Sequence, residues 1–164
     1  MSLWSKINLA KTQRRKKKSL IFLIKTLRLS VFARNKTNKM SENEISKIIV
    51  DVSYKIHTKL GPGLLESVYE AILFHELVKR GLNVERQKPI PVVWENVFLD
   101  IGFRSDLIVE NKVIVEIKSV EQVSRVHPKQ LLTYLRITKL KLGLLINFNE
   151  VLIKNGITRV ANGL

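Results

Sequence analysis

Three charged residues lie inside an otherwise apolar, strand-like stretch that runs from Asp106 to Lys118 and reads DLIVENKVIVEIK. Asp106, Glu116 and Lys118 are unusual there, because acids form strands poorly and unpaired charges are costly to bury. Two carboxylates can hold a small hard cation such as Mg²⁺, and a nearby lysine can orient or deprotonate a water molecule. This combination predicts metal-dependent hydrolysis of phosphodiester bonds. A solvated hairpin face that carries charges without chemistry is the competing interpretation.

The loop between the two strands of this stretch decides whether the two acids can meet. Residues two apart in a strand share a face, so Glu116 and Lys118 point the same way. A two-residue loop would pair position 106 with 115, whereas a three-residue loop over 110–112 would pair 106 with 116. Glu-Asn suits a type I′ turn poorly, and Asn111 tolerates the left-handed conformation that a three-residue loop needs. We therefore predict the longer loop, with Asp106 and Glu116 side by side.

Helical patterns before and after this stretch predict the elements that position it. Ser41 and Glu44 form a capping box ahead of an apolar repeat with helical spacing. A second helix is predicted over 64–80, with Leu65 on or near its apolar face. A third helix is predicted to start near Pro128, because proline is favoured in the first helical turn.

The remaining segments predict strands. Runs rich in Val, Ile, Phe and Trp follow the second helix, and Pro89 and Pro91 place one of them at a sheet edge or a bulge. The segment 141–148 predicts a buried strand. The segment 151–160 predicts a hairpin with Asn155-Gly156 as a type I′ turn. The order of elements predicts a mixed α/β domain, with helices packed on a central sheet.

Most of the positive charge lies in the N-terminal part of the chain. The formal net charge is +15, but residues 1–39 contain twelve Lys or Arg and no acid, and residues 40–164 carry only +3. Phosphate binding by the run 14–18, a targeting segment and a poorly ordered extension are all compatible with this composition. Met40 immediately precedes the first helix, which also fits a start codon chosen too far upstream. We expect a poorly ordered basic extension over 1–39 and one domain over 40–164.

Composition excludes some classes of protein. The chain has no cysteine, so disulfide bonds and cysteine-ligated zinc are excluded. A chain without disulfides is compatible with a reducing compartment, and we expect a cytoplasmic location. No run of about 18 uninterrupted apolar residues occurs, so no membrane span is predicted.

Several separated motifs occur in one order: GLLESVY, ERQKPIPV, GFRSDLIVENKVIVEIKSV, QLLTYLR and LGLLINF. Over about residues 45–164 the chain resembles the GxxExxY family of the PD-(D/E)XK nuclease superfamily. The resemblance implies a restriction-endonuclease-like core, in which a central mixed sheet is flanked by helices. It also implies a Mg²⁺-dependent nuclease, with Mn²⁺ as a possible substitute and DNA as the expected substrate.

The resemblance also implies roles for individual residues. Asp106 and Glu116 match the two metal-binding acids, Ile117 would lend its backbone carbonyl to the ion, and Lys118 matches the catalytic lysine. Glu66 matches a helical glutamate that some branches use as an additional metal or water ligand. Ser105 stands at the position of the signature proline, which varies widely in the superfamily. Two residues of the third helix match a Q-x-x-x-Y pattern that assists at the site or contacts DNA, namely Gln130 and Tyr134.

Two arginines are further candidates for phosphate contacts. Arg104 has the same parity as Asp106 along its strand, and Arg136 could line a groove on the third helix. The competing function is a catalytically silent nuclease-fold module that binds nucleic acid or a protein partner. The presence of both acids and the lysine together favours the enzyme.

Overall fold

The structure, a computed structural model, describes residues 40–95 and 97–164. The predicted basic extension over 1–39 lies outside the described residues. In chain order the elements are α1 (Glu42–Leu60), α2 (Glu66–Lys79), β1 (Val84–Trp94), β2 (Val97–Val109), β3 (Val113–Lys118), α3 (Val126–Thr138), β4 (Leu142–Asn147), the single turn α4 (Ile153–Gly156) and β5 (Ile157–Ala161).

The five strands form one mixed sheet in the order β1-β2-β3-β4-β5. β3 and β4 are parallel, and the other neighbouring pairs are antiparallel. β1 lies at an edge, and its register with β2 shifts between Ile90 and Val92. The edge position and the irregularity that Pro89 and Pro91 predicted are both confirmed. Proline has no backbone N–H to donate to a ladder, so it is found at edges and bulges.

Helices cover both faces of the sheet, which confirms the predicted mixed α/β architecture. α1 and α2 pack on one face through an apolar cluster that includes Ile49, Tyr69 and Ile117. α3 packs on the other face, where Leu131 and Leu135 contact side chains such as Ile114. The alternation of β3 thus sends Ile114 toward α3 and Ile117 toward α1 and α2.

The helix starts agree with the sequence, except at α2. The capping box of α1 is confirmed, since Ser41 Oγ accepts from the Glu44 amide and the Ser41 amide donates to the Glu44 carboxylate. α3 begins at Val126, which leaves Pro128 in its first turn as expected. α2 begins only at Glu66, so Leu65 precedes the helix and is 74% exposed. The prediction that Leu65 belongs to the apolar face is therefore wrong.

Two glycines allow close packing around β4. A Cβ on Gly143 would lie 2.8 Å from Leu131 Cγ, so the glycine lets α3 approach the sheet closely. A Cβ on Gly156 would lie 2.2 Å from the Asn147 carbonyl oxygen. The predicted hairpin with an Asn155-Gly156 turn is wrong, because these residues end α4 and β5 then pairs with β4. The glycine at 156 permits a close contact rather than a tight turn.

Candidate active site

The hairpin between β2 and β3 has the three-residue loop that the sequence predicts. Val109 pairs with Val113, and the ladder ends with Leu107 opposite Val115. Asn111 has a φ of 52°, the left-handed conformation expected there, and its neighbour in the loop at 110 has a similar φ of 55°. The predicted pairing of position 109 with 113 is confirmed, and positions 106 and 116 lie one step beyond the last pair of the ladder.

β2 and β3 separate immediately beyond this ladder. The β3–β4 ladder continues as far as Lys118, which pairs with Asn147, while β2 makes no further backbone pair with β3. The side chain of Asp106 spans the start of the gap, and its Oδ2 accepts from the Ile117 amide at 2.8 Å. This bond fixes Asp106 beside β3, where Glu116 and Lys118 project.

The two carboxylates are difficult to ionise together. Burial, followed by the charge of Asp106, raises the pKa of Glu116 to about 8. Burial also raises the pKa of Asp106, although the Ile117 amide and the Lys118 ammonium act in the opposite direction. Lys118 likewise opposes the rise at Glu116, so the lysine charge lies close to both acids. The structure thus brings together the three residues that the sequence singled out.

The pair fits a divalent cation. Glu116 Oε1 is buried and has no hydrogen-bond partner among residues 40–95 and 97–164. A cation would supply the missing partner and would offset the repulsion between the two acids. Oxygen ligands of this kind are those that Mg²⁺ and Mn²⁺ prefer.

Glu66 lies near the pair but is engaged elsewhere. It is the first residue of α2, and its Oε1 accepts from the Ser119 amide at 3.0 Å. Its charge makes a minor contribution to the raised pKa of Glu116. Within the described part of the chain, no three His, Cys, Asp or Glu side chains gather closely enough to hold one ion. A ligand role for Glu66 therefore stays a prediction, whereas its contact with the loop after β3 is part of the structure.

Asn147 and Ser119 fix that loop directly after Lys118. Asn147 is fully buried at the end of β4, where its Oδ1 accepts from the Val120 amide at 3.1 Å and its Nδ2 donates to the Val120 carbonyl at 2.8 Å. Ser119 Oγ donates to the Leu64 carbonyl at 2.6 Å. Asn147 was not predicted as a site residue, although a polar residue that ends the apolar run LGLLIN was a usable signal.

The α3 residues are divided between two sides of the helix. Tyr134 stacks on Phe103 with ring centroids 3.4 Å apart. Burial, then the charges of Glu116 and Asp106, raises the pKa of Tyr134, so its ring lies near the acidic pair. Gln130, one turn earlier, is exposed. Arg136 is roughly 200° around the helix from Tyr134 and is exposed, so it does not share a groove with that ring.

The sequence predicted that Arg104 and Asp106 share a face of β2, and they do not. Its neighbour Phe103 packs against α3, so strand alternation turns the exposed Arg104 away from Tyr134. The regular alternation of the β1–β2 ribbon is interrupted, because Arg86 contacts Phe74 of α2 whereas Ile90 packs in the α3 cluster. A contact between Arg104 and phosphate would therefore lie apart from the acidic pair.

A second acid of α2, Glu70, was missed in the sequence. It is only 6% exposed, and its carboxylate accepts from Arg86 Nε at 2.9 Å and from Gln87 Nε2 at 2.7 Å. Its spacing of four residues from Glu66 places both acids on one side of α2, which was an available signal.

A mixed sheet flanked by helices, with two carboxylates and a lysine where two strands separate, defines a nuclease-like α/β domain. The family model of the PD-(D/E)XK nuclease superfamily matches residues 43–160, and the chain belongs to this superfamily. Comparisons with curated proteins and with solved structures gave no significant match. Among the helices that the structure describes, none is both long enough and apolar enough to cross a bilayer.

Proposed function

We propose that this protein is a Mg²⁺-dependent nuclease that hydrolyses phosphodiester bonds in DNA, with Mn²⁺ as an effective substitute. Membership of the nuclease superfamily supports the reaction class. The observation that carries the proposal is the closeness of the Asp106 and Glu116 carboxylates where β2 and β3 separate, with one Glu116 oxygen unpartnered among the described residues and the Lys118 charge beside them. We further propose that the chain is a GxxExxY family member that acts in the cytoplasm.

Each residue of the site has a proposed task. Asp106, Glu116 and the Ile117 carbonyl would hold the ion, which would polarise the scissile phosphate and acidify a bound water. Lys118 orients or deprotonates the attacking water and offsets the negative charge that develops on the phosphate. Glu66 holds the loop that follows Lys118 and orients water at the edge of the site.

The surface of α3 supports a polyanionic substrate. Residues 122–149 contain five basic residues and no acidic residue. Arg125 at the N-cap of α3 and Lys129 and Arg136 within it are exposed, and their spacing of four and then seven residues aligns them on the side of the helix away from Tyr134. Such a row can contact successive phosphates without reading the sequence of bases. Tyr134 lies near the acidic pair, and Tyr134 and Gln130 are the proposed contacts to the nucleotide at the cleavage point.

A catalytically silent module that binds nucleic acid or a protein partner is the second candidate. It is favoured by the engagement of Glu66 with the Ser119 amide, because the described residues then offer only two acidic side chains for an ion.

Cleavage assays distinguish the two candidates. The full chain is incubated with plasmid, single-stranded, branched DNA and RNA, in Mg²⁺, Mn²⁺ or a chelator. Asp106→Asn and Lys118→Ala are compared with Asp51→Asn and Lys47→Ala, which change exposed residues of α1. We expect metal-dependent cleavage of DNA that only the first two variants lose. Binding without cleavage under every metal would support the silent module instead, and preferential cleavage of RNA would refute the proposed substrate.

A further inference from the structure

A single amide group bridges two carboxylates beside the proposed metal site. Gln87 Nε2 donates to Glu70 Oε2 at 2.7 Å and also to Asp106 Oδ1 at 3.4 Å. A glutamine NH₂ group has two hydrogens, so it can serve both acids at once. Glu70 is 6% exposed and also forms an ion pair with Arg86 at 2.9 Å. The network therefore connects α2, through β1, to the acid that β2 contributes.

The backbone at Gln87 is strained. Its φ is 49°, a left-handed conformation that residues with a Cβ adopt at a cost. Gln87 lies opposite Asp106, because Arg86 pairs with Leu107 and Lys88 pairs with Ser105. Glycine would adopt this conformation more easily, but it has no side chain to reach either acid. The side-chain amide is therefore what a glutamine contributes at position 87 and a glycine would not.

We propose that Gln87, anchored by Glu70, is a positioning residue that fixes the carboxylate plane of Asp106 for metal binding; the proposal rests on the proposed nuclease function. With the Ile117 amide on Oδ2 and Gln87 on Oδ1, each Asp106 oxygen has one donor. The carboxylate is thereby restrained from rotating, and lone pairs remain on both oxygens for a cation.

Arg86 offsets the charge of Glu70, so that Glu70 does not compete with the proposed metal site for the cation. Its guanidinium binds Glu70 and lies 5.2 Å from the centre of the Phe74 ring. Glu70 is paired with the positive charge of Arg86 and accepts from Gln87, so it anchors the Gln87 amide. Hydrogen-bond partners of metal-ligating carboxylates typically contribute about 10- to 100-fold to metal affinity or activity.

The test is a calorimetric titration of the metal-free full chain with Mn²⁺, alongside thermal melting without metal. Gln87→Leu removes both donated bonds. Gln87→Asn withdraws the amide by one methylene, and because asparagine tolerates a positive φ it protects the fold if the leucine variant fails. Gln122→Leu, at an exposed loop position, is the matched control.

We expect both Gln87 variants to weaken Mn²⁺ binding by about 10- to 100-fold, with Gln122→Leu unchanged. Glu70→Gln should weaken binding alone but add little to Gln87→Asn, because the two residues act in one chain of contacts. Binding within twofold of the native protein in Gln87→Asn would overturn the positioning role if Asp106→Asn still abolishes binding. Unchanged binding in Asp106→Asn would instead remove the proposed metal site, and this inference with it.

Discussion

A carboxylate lies on each side of the gap between β2 and β3, and the two carboxylates differ in their hydrogen bonds. On the β2 side, both oxygens of Asp106 have a donor, from the Ile117 amide and from Gln87. On the β3 side, Glu116 has a buried oxygen without a partner in the described part of the chain, and its pKa is raised to about 8. Asp106 is thus held by a donor on each oxygen, while burial and the charge of Asp106 outweigh the stabilising effect of Lys118 at Glu116.

This difference explains how the metal-binding side chains can be held in position although the two acids repel each other when no cation is bound. A fully hydrogen-bonded pair would have little to gain from a cation, and a pair without donors would have no fixed geometry. Asp106 is held in a fixed orientation by its hydrogen bonds, and Glu116 carries the negative charge that a cation would stabilise.

Cleavage should depend on both sides of the gap. We expect Asp106→Asn and Glu116→Gln each to lower kcat by at least about 10²-fold, because each removes one anionic ligand from the proposed ion. Single-turnover cleavage of labelled DNA in Mg²⁺ measures the loss, with Asp51→Asn as the control. Substantial activity in either variant would show that the corresponding carboxylate is not a ligand.

Metal affinity should depend on pH through Glu116 more than through Asp106. Glu116 holds a proton below a pH of about 8, and a cation must displace that proton. The apparent affinity for Mn²⁺ should therefore rise by up to about tenfold per pH unit between pH 6 and 8, then level off. Calorimetry in buffers of different ionisation enthalpy counts the released protons. An affinity that is flat over this range would contradict the assigned role of Glu116.

The stability of the metal-free protein should respond to the two acids unequally. The pKa of Glu116 is raised from 4.5 to about 8, so its contribution to stability is complete below pH 4.5 and is lost as the pH rises through 8. Glu116→Gln should therefore stabilise the metal-free protein at pH 8, by at least about 1 kcal/mol. Asp106→Asn should give a smaller gain, because the side-chain NH₂ group of the asparagine would face the NH₂ group of Gln87, and two donors do not form a hydrogen bond.

Urea unfolding at pH 5 and pH 8 measures these differences. The advantage of Glu116→Gln should be small at pH 5 and larger at pH 8. An equal gain for both variants would remove the distinction between the two carboxylates.

The geometry of the acidic pair could be predicted because it depends on local interactions. A single hairpin connects Asp106 to Glu116, and the pairing of Val109 with Val113 sets their register; Glu110, which was not expected to adopt a left-handed conformation, does so together with Asn111. The superfamily fold followed from ordered motifs that span most of the domain. For the same reason, the capping box of α1 was predictable from four consecutive residues.

The parts that could not be predicted depend on contacts between distant segments. The Asn155-Gly156 pair satisfies the preference of a type I′ turn, yet the close approach of the Asn147 carbonyl decides what Gly156 does. Glu70 and Gln87 are 17 positions apart and meet only when α2 packs on β1. The spacing of Glu70 from Glu66 indicates a shared helix side, but its contact with Gln87 is visible only in the folded structure.

The smallest expected effect of the difference between Asp106 and Glu116 is on the pKa of Tyr134. Besides burial, the charge of Glu116 and then that of Asp106 raises the pKa of Tyr134. Both acids are ionised where a phenol titrates, so neutralising either should lower the pKa of Tyr134 toward its ordinary value. Glu116→Gln should have the larger effect, because the charge of Glu116 raises the pKa of Tyr134 more than that of Asp106 does.

Ultraviolet titration of the phenolate in the metal-free protein measures this change, and Tyr134→Phe identifies its share among the three tyrosines of the chain. A larger decrease in Asp106→Asn would mean that the charge closest to α3 belongs to the β2 side.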